Sequence, residues 1–505
     1  MRAYSVSMRR AKIVATIGPA SDSAEKLRDL LQAGVNVARI NMSHGARERH
    51  GEVVSRLRRT AAESAQPMGI LLDLAGPKIR TGRLRGGVAI LKDGAEVRIT
   101  GEDIEGDARR FSASYPRLAQ EVHPGDRILI DDGEIVLEVV DTRLGDVSAR
   151  VIHGAPLGER KGINLPGSHI SVPSVTEKDI ADLQFGVERS VDLVALSFVR
   201  SAADCAQARD LIRKFGSRAL LIAKIEKPEA VDDLSNILDT SDGVMVARGD
   251  LAVETAPEIV PVLQKRIIFE AMSAEKIVIT ATQMLQSMIL NPQPTRAEAS
   301  DVANAVLDGS DAVMLSGETA VGRFPVEAVQ MMDRIIRSAE EMGLPPSQLS
   351  EGGEIGGFHS GPGMIHQLMT RHSGSQGRAI AEAATFAAAE VDSRLIVVFS
   401  KSGIMARHIA ALRPPQRIIA LTSSERTYRQ LTLAWGLEPY MLEELPPDSD
   451  AILASGDRTL LRHNLADAGE LVVLMTGQLV DAAISSSMKL HRVGDAAKGR
   501  PATGH

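Results

Sequence analysis

The sequence predicts an α/β protein: a (β/α)8 TIM barrel with an inserted small β-barrel lid domain and a C-terminal open α/β domain. Three observations carry this prediction. Between residues 12 and 318, short runs rich in Val, Ile and Leu recur, and most are followed by a helix-start signal. The runs are regularly spaced except for one long gap, where the pattern changes to the period-two alternation of antiparallel strands. After a glycine- and serine-rich stretch, helices and strands alternate again.

The runs are apolar on both faces, as the buried strands of a parallel barrel are. They are KIVATI (12–17), VNVARINM (35–42), GILLDL (69–74), VDLVALSF (191–198), LLIAKIE (220–226), GVMVARGD (243–250), KIVITATQ (276–283) and AVMLSGE (312–318). Eight strands that alternate with helices match the count of a (β/α)8 barrel. We therefore assign residues 1–81 and 173–345 to a catalytic barrel domain.

The long gap lies between the third and fourth runs and is too long for one helical crossover. It contains AEVRIT, DRILIDDGEIVLEVV and GDVSARVIHG, punctuated by the turn pairs DG, GD and PG. We predict that residues 82–172 form a small β domain inserted in a βα loop. Because such loops lie on the face where barrel active sites sit, a lid is the favoured interpretation. The alternative is a module for stability or oligomerisation.

The stretch SEGGEIGGFHSGPGM (350–364) follows the barrel and is typical of a flexible connection. We assign residues 346–369 to a linker. Helical and strand patterns then alternate over residues 370–494, which predicts a separate regulatory α/β domain. Residues 495–505 are expected to be a disordered tail.

Composition narrows the classes of function. The chain of 505 residues has a net charge of -7, which gives no basis for binding nucleic acid or a polybasic attachment to membranes. Its single cysteine, Cys205, excludes an intramolecular disulfide and suits a reducing compartment. The N-terminal MRAYSVSMRR is not followed by the apolar segment of a secretory signal, and no apolar stretch approaches the ~20 residues that span a bilayer. We expect a cytoplasmic enzyme.

Polar residues interrupt seven of the eight runs near their C-terminal ends. They are Arg39, Asn41, Asp73, Ser197, Lys224, Glu226, Arg248, Gly249, Asp250, Thr282, Ser316 and Glu318. In a (β/α)8 barrel these strand ends form the active-site face, so the groups are expected to converge on one cavity. Any one of them could equally be a satisfied polar group at the barrel rim, but seven strands together favour an active site.

The types of these residues indicate how such a site would act. Glu226 and Asp250, on neighbouring strands, suit one Mg²⁺ (or Mn²⁺), whose remaining ligands are substrate oxygens and water. Lys224 precedes Glu226 by two residues and points to the same face, which suits a positive charge held over a developing anion. Arg39 is the expected phosphate clamp, because a planar guanidinium binds phosphate oxygens bidentately.

Two further groups suit a small carboxylate substrate. The backbone N–H groups of Gly249 and Asp250 could bind its carboxylate, and the Thr282 hydroxyl could orient it or pass a proton through water. Together the groups indicate phosphoryl transfer with a mainly electrostatic catalytic effect. The sequence has neither a Walker loop nor a kinase-type glycine loop, so a nucleotide would be held in another way.

Long motifs occur in order over roughly residues 10 to 326. They are ARINMSHG, LLDLAGPKIRTG, KGINLPG, ALSFVRSAAD, IAKIEKPEA, VMVARGDLAVE, TATQML and PTRAEASDVANAVLDGSDAVMLSGETAVGRFP. This set resembles the pyruvate kinase family of bacterial type, and the C-terminal domain resembles it more loosely. The resemblance implies Mg²⁺-dependent transfer of phosphate from phosphoenolpyruvate to ADP, giving pyruvate and ATP, by a homotetramer.

The resemblance also implies residue roles. The implied sites are catalytic Lys224 and Thr282; substrate-binding Arg39, Lys224, Gly249, Asp250 and Thr282; nucleotide-binding Asn41, His44, Arg80 and Lys161; and Mg²⁺-binding Glu226 and Asp250. Lys224 would stabilise the transition state and the enolate. Protonation of the enol would run through a water network near Thr282, with Ser316 and Glu318 as members.

The stretch LLDLAGPKIRTG departs from the potassium-dependent branch of that family, in which Thr follows the Asp and Glu follows the Gly-Pro. Here those positions are Leu74 and Lys78. Asn41, Ser43, Asp73 and the Leu74 carbonyl would be the other ligands of a monovalent cation. An ammonium at Lys78 would supply the charge of that cation, so potassium is not expected to be required. The alternative is that Lys78 contributes only a surface charge.

A possible effector site lies in the C-terminal domain. SKSGIMA (400–406) resembles the family's effector-phosphate loop, with Ser400, Lys401, Ser402 and Gly403 as the candidate residues. A plain strand-to-helix turn explains it equally well. The later segment TGQLVDAAISSSMKLHRVG lacks the Gly/Pro- and Arg-rich loop of members that fructose 1,6-bisphosphate activates. The domain would therefore bind a sugar monophosphate or no effector.

Two alternative functions remain. A metal-dependent pyruvate aldolase of the same superfamily also places a Glu and an Asp around Mg²⁺, but it would need no nucleotide. A catalytically inactive regulatory paralogue would be expected to lack Lys224, Glu226, Asp250 or Thr282, and all four are present.

Overall fold

The computed structural model of the protein describes residues 9–142, 145–168, 171–342, 376–445, 449–476 and 486–498. The predicted linker and the stretch 350–364 lie outside these residues. The start of the predicted C-terminal domain, residues 477–485 and residues 499–505 of the predicted tail also lie outside them.

The strands are numbered in chain order. The first are β1 (Lys12–Thr16), β2 (Val37–Asn41) and β3 (Gly69–Asp73). The inserted domain contains β4 (Ile79–Arg80), β5 (Val88–Ile90), β6 (Glu96–Thr100), β7 (Arg110–Ser112), β8 (Arg127–Ile130), β9 (Ile135–Asp141), β10 (Val147–His153), β11 (Pro156–Gly158) and β12 (Gly162–Asn164). Next come β13 (Leu193–Leu196), β14 (Leu220–Ile225), β15 (Gly243–Ala247), β16 (Ile277–Ala281) and β17 (Ala312–Leu315). The C-terminal part contains β18 (Leu395–Phe399), β19 (Arg417–Thr422), β20 (Leu437–Met441), β21 (Leu471–Thr476) and β22 (Ser487–Arg492).

The helices are numbered in the same way. Up to residue 254 they are α1 (Ala24–Ala33), α2 (Arg47–Glu63), α3 (Leu118–Glu121), α4 (Glu177–Glu188), α5 (Ala202–Lys214), α6 (Pro228–Asp232), α7 (Leu234–Thr240) and α8 (Arg248–Glu254). They continue with α9 (Val260–Ser273), α10 (Arg296–Leu307), α11 (Gly317–Ala320), α12 (Pro325–Met342), α13 (Gln376–Glu390), α14 (Ile404–Ala411), α15 (Glu425–Gln430) and α16 (Ser449–Arg462). Three 3-10 turns are Gln286–Ile289, Leu431–Leu433 and Asp495–Lys498. None of the described helices combines the length and apolar character needed to cross a membrane.

The strands predicted from the eight apolar runs close into a parallel barrel, in the order β1, β17, β16, β15, β14, β13, β3 and β2. This confirms the predicted (β/α)8 barrel. Helix starts follow local sequence signals: at α4 the Thr176 hydroxyl accepts a hydrogen bond from Asp179 N, and the Asp179 carboxylate accepts one from Thr176 N. Thr295 and Glu298 form the same capping box at α10.

The side chains of the barrel strands separate into an outer and an inner apolar core, because successive residues of a strand point to opposite faces. The outer core packs against the helices. The inner cluster contains Val14, Val37, Leu71, Leu193, Ala195, Leu220, Ile222, Met245, Ile277, Ile279, Ala281, Ala312, Met314 and Leu433. The barrel is therefore a packed core rather than a pore, and polar groups face inward only near the strand ends.

The inserted domain forms a seven-stranded sheet in the order β4, β12, β8, β9, β10, β6 and β7, with its own apolar core. A bridge between Thr81 and Ala113 joins the two edge strands, and Ser114 N donates to Arg80 O. The sheet therefore curls back on itself like a small barrel. It begins at Ile79, because β4 pairs with β12, slightly before the predicted boundary at residue 82.

The C-terminal domain is a five-stranded open sheet in the order β20, β19, β18, β21 and β22, with only β22 antiparallel. Residues 495–498, assigned to the tail from the sequence, form a 3-10 turn whose Ala496 N donates to Asp457.

The barrel and the C-terminal domain meet at a seam built around the single tryptophan. Two guanidinium groups lie over the ring of Trp435, those of Arg10 at 5.0 Å and Arg413 at 4.7 Å from its centroid. The ammonium of Lys12, at the start of β1, donates to the carbonyl oxygen of Leu437 at 2.8 Å. Lys12 and Arg10 of the barrel therefore hold the backbone and the indole of the C-terminal domain, to which Arg413 also belongs.

Lys12 is 6% exposed, and this burial lowers its pKa to about 8. Arg9 lowers it further, while Glu438, Glu340 and Asp311 act in the opposite direction. An unfolded chain, in which this lysine has its ordinary pKa of 10.5, binds more protons than the folded chain between about pH 8 and 10.5. Folding therefore becomes more favourable as the pH rises through that window.

Replacing Lys12 by methionine should reveal this linkage. The free energy of unfolding of the wild type is expected to rise relative to Lys12→Met by up to ~3 kcal/mol across the window. Urea unfolding of both proteins at its two ends measures the difference. The interpretation is contradicted if the difference between the wild type and Lys12→Met is the same at both ends.

Candidate active site

Strand ends of the barrel bring together a connected polar cluster. Arg39 Nε lies 2.6 Å from Asp73 Oδ2, and Arg39 Nη1 donates to Thr16 Oγ1 at 2.9 Å. Lys224 Nζ lies 3.4 Å from Asp73 Oδ1 and donates to Ser197 Oγ at 2.7 Å. The sequence identified four of these residues as site residues but did not identify Thr16, whose role depends on the closure of β1 against β2.

The charges of this cluster stabilise each other. Burial alone would lower the pKa of Lys224, but the carboxylates of Asp73 and Glu226 more than offset this and hold the pKa above its ordinary value. Burial would likewise raise the pKa of Asp73, but the cations Lys224 and Arg39 hold it below its usual range. Lys224 is therefore a fixed positive charge rather than a general base.

Glu226 follows directly on β14 and is 1% exposed. Its Oε2 accepts a hydrogen bond of 2.6 Å from Phe198 N, and the Phe198 backbone is in the left-handed region at φ 54°. Its Oε1 is 2.8 Å from Lys224 Nζ, yet it is buried and accepts no well-directed hydrogen bond. Burial raises the pKa of Glu226 despite the neighbouring ammonium.

These groups fit a hard divalent cation. Among the described residues, no set of three or more His, Cys, Asp and Glu side chains is arranged to hold a metal. Mg²⁺ does not need such a set, because one or two carboxylates suffice when substrate and water supply the other oxygens. The Oε1 atom of Glu226 and the carboxylate of Asp250 are oxygen donors of the kind it prefers.

Lys78 lies at the mouth of the site, and its ammonium is 3.4 Å from Asp250 Oδ1. Both side chains are about a quarter exposed, at 25% and 24%. The pKa of His44 is lowered by burial and then by the cations Arg80, Lys78 and Arg39. The ion pair with Asp250 was not expected from the sequence, which associated Lys78 with a monovalent-cation site.

A second part of the site forms where β15 and β16 end. Gly249 N donates to Thr282 Oγ1 at 2.8 Å, and this hydroxyl donates to Ala281 O at 2.6 Å. Arg248 is 9% exposed, donates to Thr282 O at 2.7 Å and forms an ion pair of 2.6 Å with Asp301. Arg248 thus fixes the backbone of Thr282, whose φ is 68°. No local pattern marks this role, because Asp301 lies far along the chain in α10.

Ser316 and Glu318 follow β17 and differ in the partners they have. Glu318 is fully buried, and its two oxygens accept hydrogen bonds from Leu285 N at 3.0 Å and Ser316 N at 2.8 Å. The Ser316 hydroxyl is buried and has no hydrogen-bond partner among the described residues. Ser316 therefore has the free polar atom, and Glu318 holds the backbone around it.

Three of the residues predicted to face a nucleotide are His44 after β2, Arg80 on β4 and Lys161 of the inserted domain. Arg80 Nη1 donates to Arg160 O at 3.0 Å. Lys161 Nζ forms an ion pair of 2.6 Å with Asp131, which raises the pKa of the lysine. The ring of His44 is partly desolvated although the residue keeps solvent contact, and this burial together with the neighbouring cations lowers its pKa, which favours the neutral ring.

The predicted monovalent-cation ligands lie around the end of β2 and β3. Asn41 Oδ1 accepts a hydrogen bond from Ser43 N at 3.0 Å. The Leu74 carbonyl accepts one from Ser197 Oγ at 2.7 Å, and the same hydroxyl lies 3.3 Å from Asp73 Oδ1. The side-chain oxygens of Asn41 and Asp73 and the Leu74 carbonyl therefore have protein partners.

A buried contact that the sequence did not reveal joins the inserted domain to the barrel. Asn164, at the end of β12, donates to Glu254 Oε1 at 2.7 Å, and Lys227 Nζ lies 3.0 Å from Glu254 Oε2. All three side chains are buried. This network fixes one of the two chain segments that connect the inserted domain to the barrel.

The predicted effector loop opens α14. Gly403 has φ 76° and its N–H donates to Ser400 Oγ at 3.0 Å. The Lys401 carbonyl accepts a hydrogen bond of 2.8 Å from Thr427 Oγ1. The side chains of Lys401 and Ser402 are exposed. The loop is a tight turn with a free cation at its surface, and no contact of the described residues decides between an effector loop and a plain turn.

Comparison with known proteins assigns the barrel region and the C-terminal domain to one family. Residues 8–329 match the family described as "Pyruvate kinase, barrel domain", and residues 378–491 match "Pyruvate kinase, alpha/beta domain". A pyruvate kinase of Mycobacterium intracellulare is 42% identical over 488 residues, which cover 96% of this chain and 99% of that protein. Pyruvate kinase 2 of a Synechocystis strain is 44% identical over 496 residues, covering 97% and 80%.

A crystal structure gives the same result for the fold. A pyruvate kinase from Cryptosporidium parvum superimposes with a TM-score of 0.87 at 36% sequence identity, and the match covers 96% of each chain. The polar cluster at the strand ends, the two family matches and the near full-length relatives agree. The chain therefore belongs to the pyruvate kinase family and is a phosphotransferase.

Proposed function

We propose that this enzyme transfers phosphate from phosphoenolpyruvate to ADP with Mg²⁺ (or Mn²⁺) held by Glu226 and Asp250, and that it does not require potassium. One observation carries the proposal. A buried ammonium, that of Lys224, lies 2.8 Å from the Glu226 carboxylate and beside the Arg39–Asp73 pair at the C-terminal face of the barrel.

In the reaction, the bond between phosphorus and the enol oxygen breaks while phosphorus bonds to a terminal oxygen of ADP, leaving the enolate of pyruvate. Arg39 is aimed by its bonds to Asp73 and Thr16, which leave Nη2 without a partner among the described residues. This nitrogen would bind the transferring phosphate. Lys224 stays protonated and would stabilise the negative charge on the phosphate and on the enolate oxygen.

Bound Mg²⁺ would offset the charge of the phosphate oxygens as they pass between donor and acceptor. Glu226 would contribute Oε1, which here lies 2.8 Å from the ammonium of Lys224, and Asp250 would contribute its carboxylate once Lys78 moves off it. The ion pair between Lys78 and Asp250 would then hold the site together in the absence of substrate.

The carboxylate of the substrate would bind at the start of α8. Gly249 N, which here donates to Thr282 Oγ1, would donate to the substrate instead, and the Thr282 hydroxyl would be released. Protonation of the enolate carbon would then run through water between Thr282 and the free hydroxyl of Ser316. Arg248 positions Thr282 for this step.

The simplest test follows pyruvate formation from phosphoenolpyruvate and ADP with Mg²⁺, in potassium-free buffer and after addition of potassium. Full activity without potassium is expected. An aldolase would form no ATP, so ATP is measured together with pyruvate. Absence of pyruvate from folded protein in both buffers would instead favour an inactive regulatory paralogue.

The inserted domain would act as a lid that brings Lys161 to the nucleotide. Replacing Lys161 by alanine is expected to raise the KM for ADP about tenfold, because one charge-assisted contact to a phosphate is lost. The KM for phosphoenolpyruvate should stay the same, since its clamp is Arg39. Steady-state kinetics with each substrate varied in turn measure both values.

Lys92→Ala removes an exposed lysine of the same domain and is expected to leave the KM for ADP unchanged. An equal rise of both KM values in Lys161→Ala would point to a general loss of lid closure and would contradict a direct contact with the nucleotide.

Membership of the family supports proposals for the oligomeric state, the nucleotide contacts and the effector. We propose a cytoplasmic homotetramer in which Asn41, His44, Arg80 and Lys161 face the nucleotide. A sugar phosphate would be the effector if the loop at Ser400–Gly403 binds one.

A further inference from the structure

The apolar interior of the barrel is closed at its floor, the N-terminal end of the strands, by a residue of the C-terminal domain. Leu433, in the 3-10 turn Leu431–Leu433, is fully buried and belongs to the inner cluster formed by the strands. The turn contacts β1 and β3 directly. A leucine from another domain therefore completes the core on which the site is built.

The first residue of β3, Gly69, leaves space for the segment 429–433 of the C-terminal domain. Gly69 alternates with Leu71 and Asp73, so it faces the interior. A Cβ atom at Gly69 would lie 2.8 Å from Thr432 Oγ1, which is closer than Cβ contacts allow, and would crowd Arg429 O at 3.1 Å and Val37 at 3.2 Å. The glycine thus makes room for the residues that precede Leu433.

Polar contacts fix the same segment to the barrel floor. Asp192 is fully buried and accepts hydrogen bonds from Arg429 Nε at 2.8 Å, Arg58 Nη2 at 2.7 Å and Ile70 N at 2.9 Å. Gln430 Nε2 donates to Asp192 O at 3.1 Å. Leu433 is therefore held in one position and does not merely cover the opening.

The inner cluster supports the catalytic layer. Val37, Leu71 and Ile222 of the cluster each lie two residues before a polar site residue on the same face of the same strand. These site residues are Arg39, Asp73 and Lys224. Because protein interiors are close-packed, a displacement at the floor changes the support of this polar layer.

The other end of the segment contacts the loop at 400–403. A Cβ atom at Gly403 would lie 3.0 Å from Thr427 and 3.1 Å from Leu431, and Thr427 Oγ1 donates to Lys401 O. The contacts from this loop to the catalytic layer are thus continuous: loop, α15, the turn at Leu433, and the inner core of the barrel.

We infer that Leu433 is a positioning residue for phosphoryl transfer: seated in the barrel floor, it sets the packing under Arg39, Asp73 and Lys224 and makes their geometry depend on the C-terminal domain. The inference rests on the proposed function. The rate of pyruvate formation by the wild type tests the proposed function. The ratio of each variant's kcat to the wild-type kcat then tests the role of Leu433.

Leu433→Ala is expected to lower kcat about tenfold, since small displacements of reacting groups are costly, while the KM for ADP changes little. Leu433→Met, which keeps the volume, should restore kcat to within about twofold of the wild type. Leu460→Ala makes the same truncation at a fully buried site of α16, in a core that does not touch the barrel, and should keep the wild-type kcat.

Gly69→Ala tests the inference without removing any apolar group, because its methyl group would press on Thr432 of the docked segment and on Val37 of the inner cluster. Like Leu433→Ala, it is expected to lower kcat. Circular dichroism and thermal unfolding identify the variants that are folded. The inference is overturned if either variant is folded and keeps the wild-type kcat, or if Leu460→Ala loses as much activity as Leu433→Ala.

Discussion

Replacing Lys224 by methionine is expected to lower kcat by about a thousandfold while the protein remains folded. The ammonium is the only group of the described structure that contacts Asp73, Glu226 and Ser197 together. Loss of one preorganised donor at a developing anion costs about 100- to 1,000-fold, and this donor also carries a full charge. Measurement of pyruvate formation with saturating substrates gives the ratio.

The same change should alter how the site responds to pH. Without the ammonium, the buried carboxylates of Asp73 and Glu226 lose the charge that favours their ionised forms. The pKa values of these carboxylates therefore rise. As the solution is acidified, the residual activity of Lys224→Met is expected to begin to fall at a higher pH than the activity of the wild type.

A suitable control is Lys276→Met. This lysine lies at the opposite end of the barrel, where its ammonium donates to Ser241 O at 2.9 Å. It should keep kcat within about twofold of the wild type, because it belongs neither to the site nor to the inner cluster beneath the site. Equal losses in both variants would show that the activity depends on barrel stability and not on the Lys224 charge.

Replacing Lys78 by glutamate is expected to create a requirement for potassium. The ammonium now 3.4 Å from Asp250 would be exchanged for a carboxylate, which adds negative charge beside a predicted Mg²⁺ ligand. In potassium-free buffer the activity should fall about a hundredfold, and potassium should restore most of it by binding near Asn41, Ser43 and the Leu74 carbonyl.

Lys78→Gln is the matched control, since it removes the cation without adding an anion. It should lose part of the activity and respond weakly to potassium. Choline chloride at equal ionic strength excludes a general salt effect. Two results would contradict the charge-replacement role of Lys78. One is a potassium requirement in the wild type, and the other is a Lys78→Glu activity that does not change when potassium is added.

The sequence predicted the barrel and most of the cluster because both depend on patterns within single strands. A buried parallel strand has apolar residues on both faces, and its C-terminal end is fixed by topology on the active-site face. Arg39, Asp73 and Lys224 could thus be assigned to one cavity before any distance was known. The inserted domain was recognisable because its period-two alternation interrupts the barrel pattern.

What the sequence did not predict depends on contacts between distant segments. The pairing of Arg248 with Asp301 and the network of Asn164, Glu254 and Lys227 have no local signature. Glu318 was predicted to belong to a water network, but both oxygens of its carboxylate accept hydrogen bonds from backbone N–H groups. Such assignments depend on which donors the fold brings near, and residue type alone does not decide that.

The seam around Trp435 gives the protein an optical reporter of its own. Since this is the single tryptophan of the chain, its emission arises from one place, beside the guanidinium groups of Arg10 and Arg413. Any change in how the two domains dock moves Arg10, which the barrel carries, relative to the indole and changes the spectrum. Undocking of the domains can therefore be followed in unlabelled protein, and separately from catalysis.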